Sequence, residues 1–119
     1  MKLNHLNLIV PDVASATRFF ETYFDFKCRD VKCENIIAIL EGGDGFSLVL
    51  MSQKQGEVVY PPNFHIGFMM DSKEQVDAVH KKMKDGGFPL TAAPGKIRDS
   101  YGFYFYFDGI MMEAGHYTN

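Results

Sequence analysis

The chain has 119 residues, which suits one core of about 100–150 residues and leaves too little for a second. Hydrophobic residues make up 46% and charged residues 23%, a globular balance rather than a disordered one. The formal charge of -3 without a basic run excludes nucleic acid, no apolar stretch approaches the roughly 20 residues that span a membrane, and the Met1-Lys2-Leu3-Asn4-His5 start has no secretory pattern, so a cytoplasmic protein is expected.

Leu6, Leu8 and Val10 alternate with His5, Asn7 and Ile9, giving a first strand with one strongly apolar and one mixed face. Pro11 ends it. Asp12 is a helix N-cap, and Val13, Ala16, Phe20, Tyr23 and Phe24 recur at helical spacing, which predicts a helix over 13–24. Strands are expected over 26–33, 36–41 and 46–52, the last two joined by a hairpin turn at Gly42-Gly43-Asp44-Gly45. No Gly-Lys-Ser/Thr ending and no helix follow that turn, so it is not a phosphate loop. Cys28 and Cys33 lie in one predicted strand at an odd separation, on opposite faces, and are expected to form neither a disulfide nor a metal clip.

The polar stretch from Gln53 to Tyr60-Pro61-Pro62 is a connector. Beyond it, Phe64, Ile66, Phe68 and Met70 alternate with His65, Gly67 and Met69. Ser72 and Gln75 make a capping box for a helix carrying Val76, Val79 and Met83, which Gly86-Gly87 stops. A short strand over 88–92, a loop through Pro94-Gly95 and strands over 102–107 and 110–117 complete the pattern, with Asp108-Gly109 as the last hairpin turn. Phe103, Phe105 and Phe107 belong to the helix side of their strand, Tyr104 and Tyr106 to the other.

The halves repeat. Sixty residues separate His5 from His65, and sixty separate Asp12 from Ser72, so the strand histidine and the helix cap recur together. The expected fold is α+β: one domain over 1–119 built from two βαβββ modules, about 1–55 and about 63–119. Each module lays a helix on the apolar face of its sheet, and together they form a half-barrel cup. The faces bearing His5 and His65 stay open.

On the last strand Met111, Glu113 and Gly115 share a face. His5, His65 and Glu113, two imidazoles and a carboxylate on three strands, make a facial set for a divalent ion such as Fe, Mn, Zn or Ni. The positions left open can take a small-molecule substrate, on which the ion acts as a Lewis acid. Glu113, Tyr104 and Arg98 are the candidate catalytic groups: the tyrosine to orient substrate or move a proton, the arginine to bind an anionic group from a rim formed with Lys96, Ser100 and Tyr101. His80 and His116 are expected to be structural or solvated. The methionines Met51, Met69, Met70, Met111 and Met112 fill core gaps or line an adaptable pocket.

The segments Asn4-His5-Leu6-Asn7-Leu8-Ile9-Val10-Pro11-Asp12, Phe64-His65-Ile66-Gly67-Phe68 and Asp108-Gly109-Ile110-Met111-Met112-Glu113 resemble the vicinal oxygen chelate superfamily. It includes glyoxalase I, extradiol dioxygenases, fosfomycin-resistance thiol transferases and metal-free bleomycin-resistance proteins. The resemblance covers essentially the whole chain. It implies a homodimer in which His5 of one subunit meets His65 and Glu113 of the other. Glyoxalase I adds a glutamate from the last strand of its first half, and Phe46 to Ser52 here holds no carboxylate. The family's Asp-Pro-Asp-Gly turn appears as Tyr106-Phe107-Asp108-Gly109. Two functions follow: a metalloenzyme of the lyase, dioxygenase or thiol-transferase type, or a metal-free protein that binds a small molecule such as an antibiotic.

Overall fold

Period-two alternation forces each strand to choose a face. In the computed structural model, which describes residues 1–32, 35–53 and 56–118, β1 (His5–Val10) buries Leu8 and Val10 and leaves His5 and Asn7 exposed. Asp12 caps α1 (Val13–Tyr23) by accepting a hydrogen bond from the Ser15 amide at 3.1 Å. The helix buries Val13, Ala16, Phe19 and Phe20. Phe20 stands edge-on to Phe19 at 5.2 Å and to Phe26 at 5.9 Å. Each such ring contributes about 1.5–3 kcal/mol on full burial.

Strands β2 (Lys27–Lys32), β3 (Ile37–Glu41) and β4 (Ser47–Ser52) complete a four-stranded sheet of order β1-β4-β3-β2. In it β1 runs parallel to β4 and the other pairs are antiparallel. The β3–β4 turn closes with the Gly42 amide on the Phe46 carbonyl at 2.8 Å, and Gly45 takes φ +84°. Cys33, one of the two cysteines expected to form neither a disulfide nor a metal clip, lies outside the described residues.

The chain divides into two units, Met1–Val58 and Val59–Asn119. The second repeats the first: β5 (His65–Met69), α2 (Lys73–Asp85), β6 (Gly95–Ile97), β7 (Ser100–Phe107) and β8 (Ile110–Tyr117), in the order β5-β8-β7-β6 with β5 parallel to β8. The Ser72–Gln75 capping box forms in both directions at 3.2 Å. Gly86 caps the helix C-terminus, and Gly87 at φ +81° redirects the chain. Phe103, Phe105, Met112 and Ala114 are buried, and α2 packs on this side of β7 and β8. The fold is the expected α+β pair of βαβββ modules. No described helix is long and apolar enough to cross a membrane.

One element differs from the expectation. Residues 88–92 form no strand, and the second strand of the second module is β6, at Gly95–Ile97. Pro89 has no N–H to give to a ladder. The segment runs beside α2 instead, where the Ala92 carbonyl lies 3.0 Å from His80 Nε2 and Phe88 stacks edge-on to Phe105 at 5.8 Å. His80, Lys84 and residues 87–93 line an open groove of about 500 Å³ there.

Candidate functional site

In the second unit three neighbouring strands carry the candidate groups. Glu113 on β8 lies opposite Gly67 of β5 on one side and Tyr104 of β7 on the other, and His65 is paired with Met111, two residues along β8. His65 and Tyr104 are therefore two strands apart, about 9.6 Å between backbones at about 4.8 Å per strand. Their ring centroids are only 6.4 Å apart, at an interplanar angle of 82°. The rings lean together across β8, toward the strand that carries Glu113.

The Glu113 carboxylate lies between two glycines. A Cβ at Gly67 would stand 3.8 Å from Oε1, and one at Gly115 would stand 3.7 Å from Oε2. Half-buried as it is, Glu113 has no hydrogen-bond or ion-pair partner among the described residues. Burying a carboxylate part-way without a partner costs free energy, so this geometry is one that a cation would relieve.

The histidine rings are held so that one nitrogen is left over. His65 Nδ1 lies 3.0 Å from the Asn63 carbonyl, and His5 Nδ1 lies 2.7 Å from Asn4 Oδ1. Both partners are acceptors, so each ring donates from Nδ1, and in the neutral imidazole the lone pair is then on Nε2, the form that ligates metals. The other two histidines serve the packing, as expected. His80 holds the Ala92 carbonyl through Nε2 and stands edge-on to Phe103 at 4.9 Å, while His116, on the face of Met112 and Ala114, holds the Met70 carbonyl at 2.8 Å.

In the first unit His5 is paired with Ser47, and Asn7 with Val49. Asn7 Nδ2 donates to Met51 Sδ at 2.9 Å. Val49 occupies the place that Glu113 holds in the second sheet, and the described strand β4 contributes no carboxylate.

Tyr104 is 39% exposed, and its hydroxyl has no partner among the described residues. The Tyr106 hydroxyl instead reaches Met111 Sδ at 3.5 Å. Arg98 sits at φ +50° in the turn between β6 and β7. Ser100 pairs with Tyr117, four residues from Glu113 along β8, so the Arg98 backbone lies roughly 13 Å or more from that of Glu113 at about 3.3 Å per residue. The expected rim does not form as a group. Tyr101 is on the face of Phe103 and donates to Asp77 Oδ1 on α2 at 2.6 Å, Lys96 pairs with Tyr101 on that helix side, and the buried Ser100 hydroxyl donates to the Ile97 carbonyl. Hydrogen bonding to Asp77, more than burial or its charge, raises the Tyr101 hydroxyl above the usual tyrosine range.

The structure thus brings together His65, Glu113 and Tyr104, keeps His5 in the other unit and sets Arg98 apart. Among the described residues no three His, Cys, Asp or Glu side chains gather into a metal-binding group. The sequence reading left Gly67 and Gly115 without a role. Glycine inside a strand marks close approach or cleared space, and both flank the one acidic residue of β8.

A family model described as the Glyoxalase/Bleomycin resistance protein/Dioxygenase superfamily matches residues 2–112. Among solved structures, a possible glyoxalase from Bacillus cereus is 39% identical, with a TM-score of 0.83 over 97% of this chain and 98% of that one. The fosfomycin resistance protein FosX from Listeria monocytogenes is 24% identical, with a TM-score of 0.76 over 98% and 93%. A lactoylglutathione lyase from Agrobacterium tumefaciens is 18% identical, with a TM-score of 0.76 over 97% and 92%. These last two are alike in fold. No curated protein sequence matches.

Proposed function

Because the chain belongs to the Glyoxalase/Bleomycin resistance protein/Dioxygenase superfamily, we propose that it is a metalloenzyme acting on an oxygen-bearing small molecule through a divalent ion held by His5, His65 and Glu113. The observation that carries this reading is that both strand histidines engage an acceptor through Nδ1 and keep Nε2 free. The unpartnered Glu113 carboxylate, set between two glycines, fits the same role. Fe, Mn, Zn or Ni each suits two imidazoles and a carboxylate.

When bound, the ion supplies a Lewis acid that polarises a substrate oxygen. The chain's own residues do the rest. The Asn4 and Asn63 oxygens hold the two rings in their ligating tautomer. Glu113 brings negative charge, and the carboxylate oxygen not engaged by the ion can also take a proton from substrate. Tyr104, leaning toward His65, offers its hydroxyl to a substrate oxygen. Arg98 would hold an anionic end of a long substrate rather than touch the reacting atoms. The functional unit in this reading is a homodimer in which His5 of one chain serves His65 and Glu113 of the other.

Metal analysis of protein purified without chelators, followed by add-back, is the test. One ion per site is expected, with loss in His65→Ala. No stoichiometric ion in the wild type, and no change on His65→Ala, would overturn the reading. A second reading, metal-free binding of a flat apolar molecule, is favoured by the exposure of Tyr104, Tyr106 and Met69. It predicts equal affinity for such a ligand in metal-stripped protein and in His5→Ala.

A further inference from the structure

We infer that Asn4 is a positioning residue for His5: its side-chain oxygen holds the imidazole with Nδ1 protonated, so that Nε2 is free to ligate. The inference rests on the reading of His5 as a metal ligand. In the second unit the same task falls to the main chain, since His65 Nδ1 meets the Asn63 carbonyl at 3.0 Å, an acceptor that no side-chain substitution at residue 63 removes. In the first unit the corresponding residue is Leu3, and its carbonyl makes no hydrogen bond to His5 among the described residues. The Asn4 carbonyl accepts from the Ser47 amide at 2.9 Å and so fixes the start of β1 against β4. The acceptor at His5 is the Asn4 side chain, whose Oδ1 lies 2.7 Å from Nδ1.

A neutral imidazole with nothing on Nδ1 exchanges its proton between the two nitrogens, whereas an acceptor at Nδ1 selects one tautomer, fixes the ring plane and raises the basicity of the other nitrogen. Outer partners of this kind are typically worth about 10–100-fold in metal affinity. Asn4 and His5 are both exposed, so losing the bond costs the apo fold little. The effect should appear on the metal and not on the melting temperature.

The test is direct titration of the full chain with Co(II), followed by calorimetry and by the visible absorption of the bound ion, for wild type, Asn4→Ala, Asn4→Asp and His5→Ala. Asn4→Ala is expected to weaken Co(II) about 10–100-fold, with an unchanged apo melting temperature. Asn4→Asp keeps an acceptor oxygen in place and is expected to bind at least as tightly as wild type. The positioning role is overturned if Asn4→Ala binds like wild type, or if Asn4→Asp falls with it. If the wild type takes up no Co(II), or His5→Ala binds as well as wild type, the metal reading itself has failed and this inference with it.

Discussion

The two sheets share strand order and pairing register, yet their open faces carry different chemistry. At equivalent places the first has Asn7, Val49, Met51 and Ile37, and the second has Gly67, Glu113, Gly115 and Gly102. Around the position equivalent to Glu113 the first face is filled: the Asn7 amide reaches the Met51 sulfur, and Val49, Ile39 and Ile37 stand beside them. In the second, Gly67 and Gly115 flank one carboxylate, and Gly102 lets β7 and β8 approach closely. Only the histidine is common to both. A carboxylate that must stay available needs room and must lack competing donors, and the second sheet supplies both where the first supplies neither.

Making the second sheet resemble the first should break it, and most severely at Gly102. A Cβ there would stand 2.2 Å from the Ala114 carbonyl oxygen and 2.8 Å from the Gly115 Cα, both backbone atoms that cannot turn aside. Ile37 takes the corresponding place in the first sheet without such a clash. Gly102→Ala is therefore expected to cost about 3 kcal/mol or more, a fall in Tm of more than about 10 °C by calorimetry. A melting temperature near wild type would mean that β7 and β8 can separate more readily than their pairing suggests.

Replacing the carboxylate should act the other way on stability. Glu113→Val copies Val49 and removes a half-buried, unpartnered charge, so the apo protein is expected to melt at or above the wild-type temperature. Metal affinity should fall at least about a hundredfold, on the order of 2.7 kcal/mol. A variant that loses stability and metal together would point to a structural role for Glu113. Gly67→Asn copies Asn7 and is milder. Its amide would stand beside Oε1 and give the carboxylate a competing donor, so a loss of about tenfold in metal affinity, about 1.4 kcal/mol, is expected. Direct metal titration reads both.

Much of this was legible in the sequence, because the physics behind it is local. Alternation at β1 and β5 placed both histidines on open faces, and Asp12 and the Ser72–Gln75 box marked the helix starts. What was hidden depends on pairing. Phe88 and Leu90 alternate as strand residues do, but the prolines at 89 and 94 push the pairing on to Gly95–Ile97, a segment too short to show a period. That register then sends Lys96 and Tyr101 to the helix side, since a single residue decides the face. The acceptors at Asn4 and Asn63 were equally silent, because whether the Asn63 carbonyl meets a ring nitrogen is a matter of backbone geometry that residue type does not encode, and an exposed asparagine side chain such as that of Asn4 has many other places to turn. Gly67 and Gly115 were visible as glycines, and their meaning came only with the position of the Glu113 oxygens.

The smallest expected effect concerns the helix side of the second sheet. Tyr101 donates to Asp77 at 2.6 Å, and Lys73 Nζ lies 5.4 Å from the centre of its ring. The hydrogen bond exists only while the phenol keeps its proton, and it raises the folded-state pKa above the ordinary value of 10.0. A group raised in this way contributes stability that is fully present below its unfolded pKa and is lost as pH climbs through the folded one. Wild-type stability is therefore expected to be flat with respect to this group up to about pH 9 and to decline above about pH 10. Tyr101→Phe should be slightly less stable at neutral pH, and its alkaline decline should be shallower, so that the two curves converge as pH rises. Parallel curves across that range, measured by urea unfolding, would show that the Asp77 contact contributes nothing to holding β7 against α2.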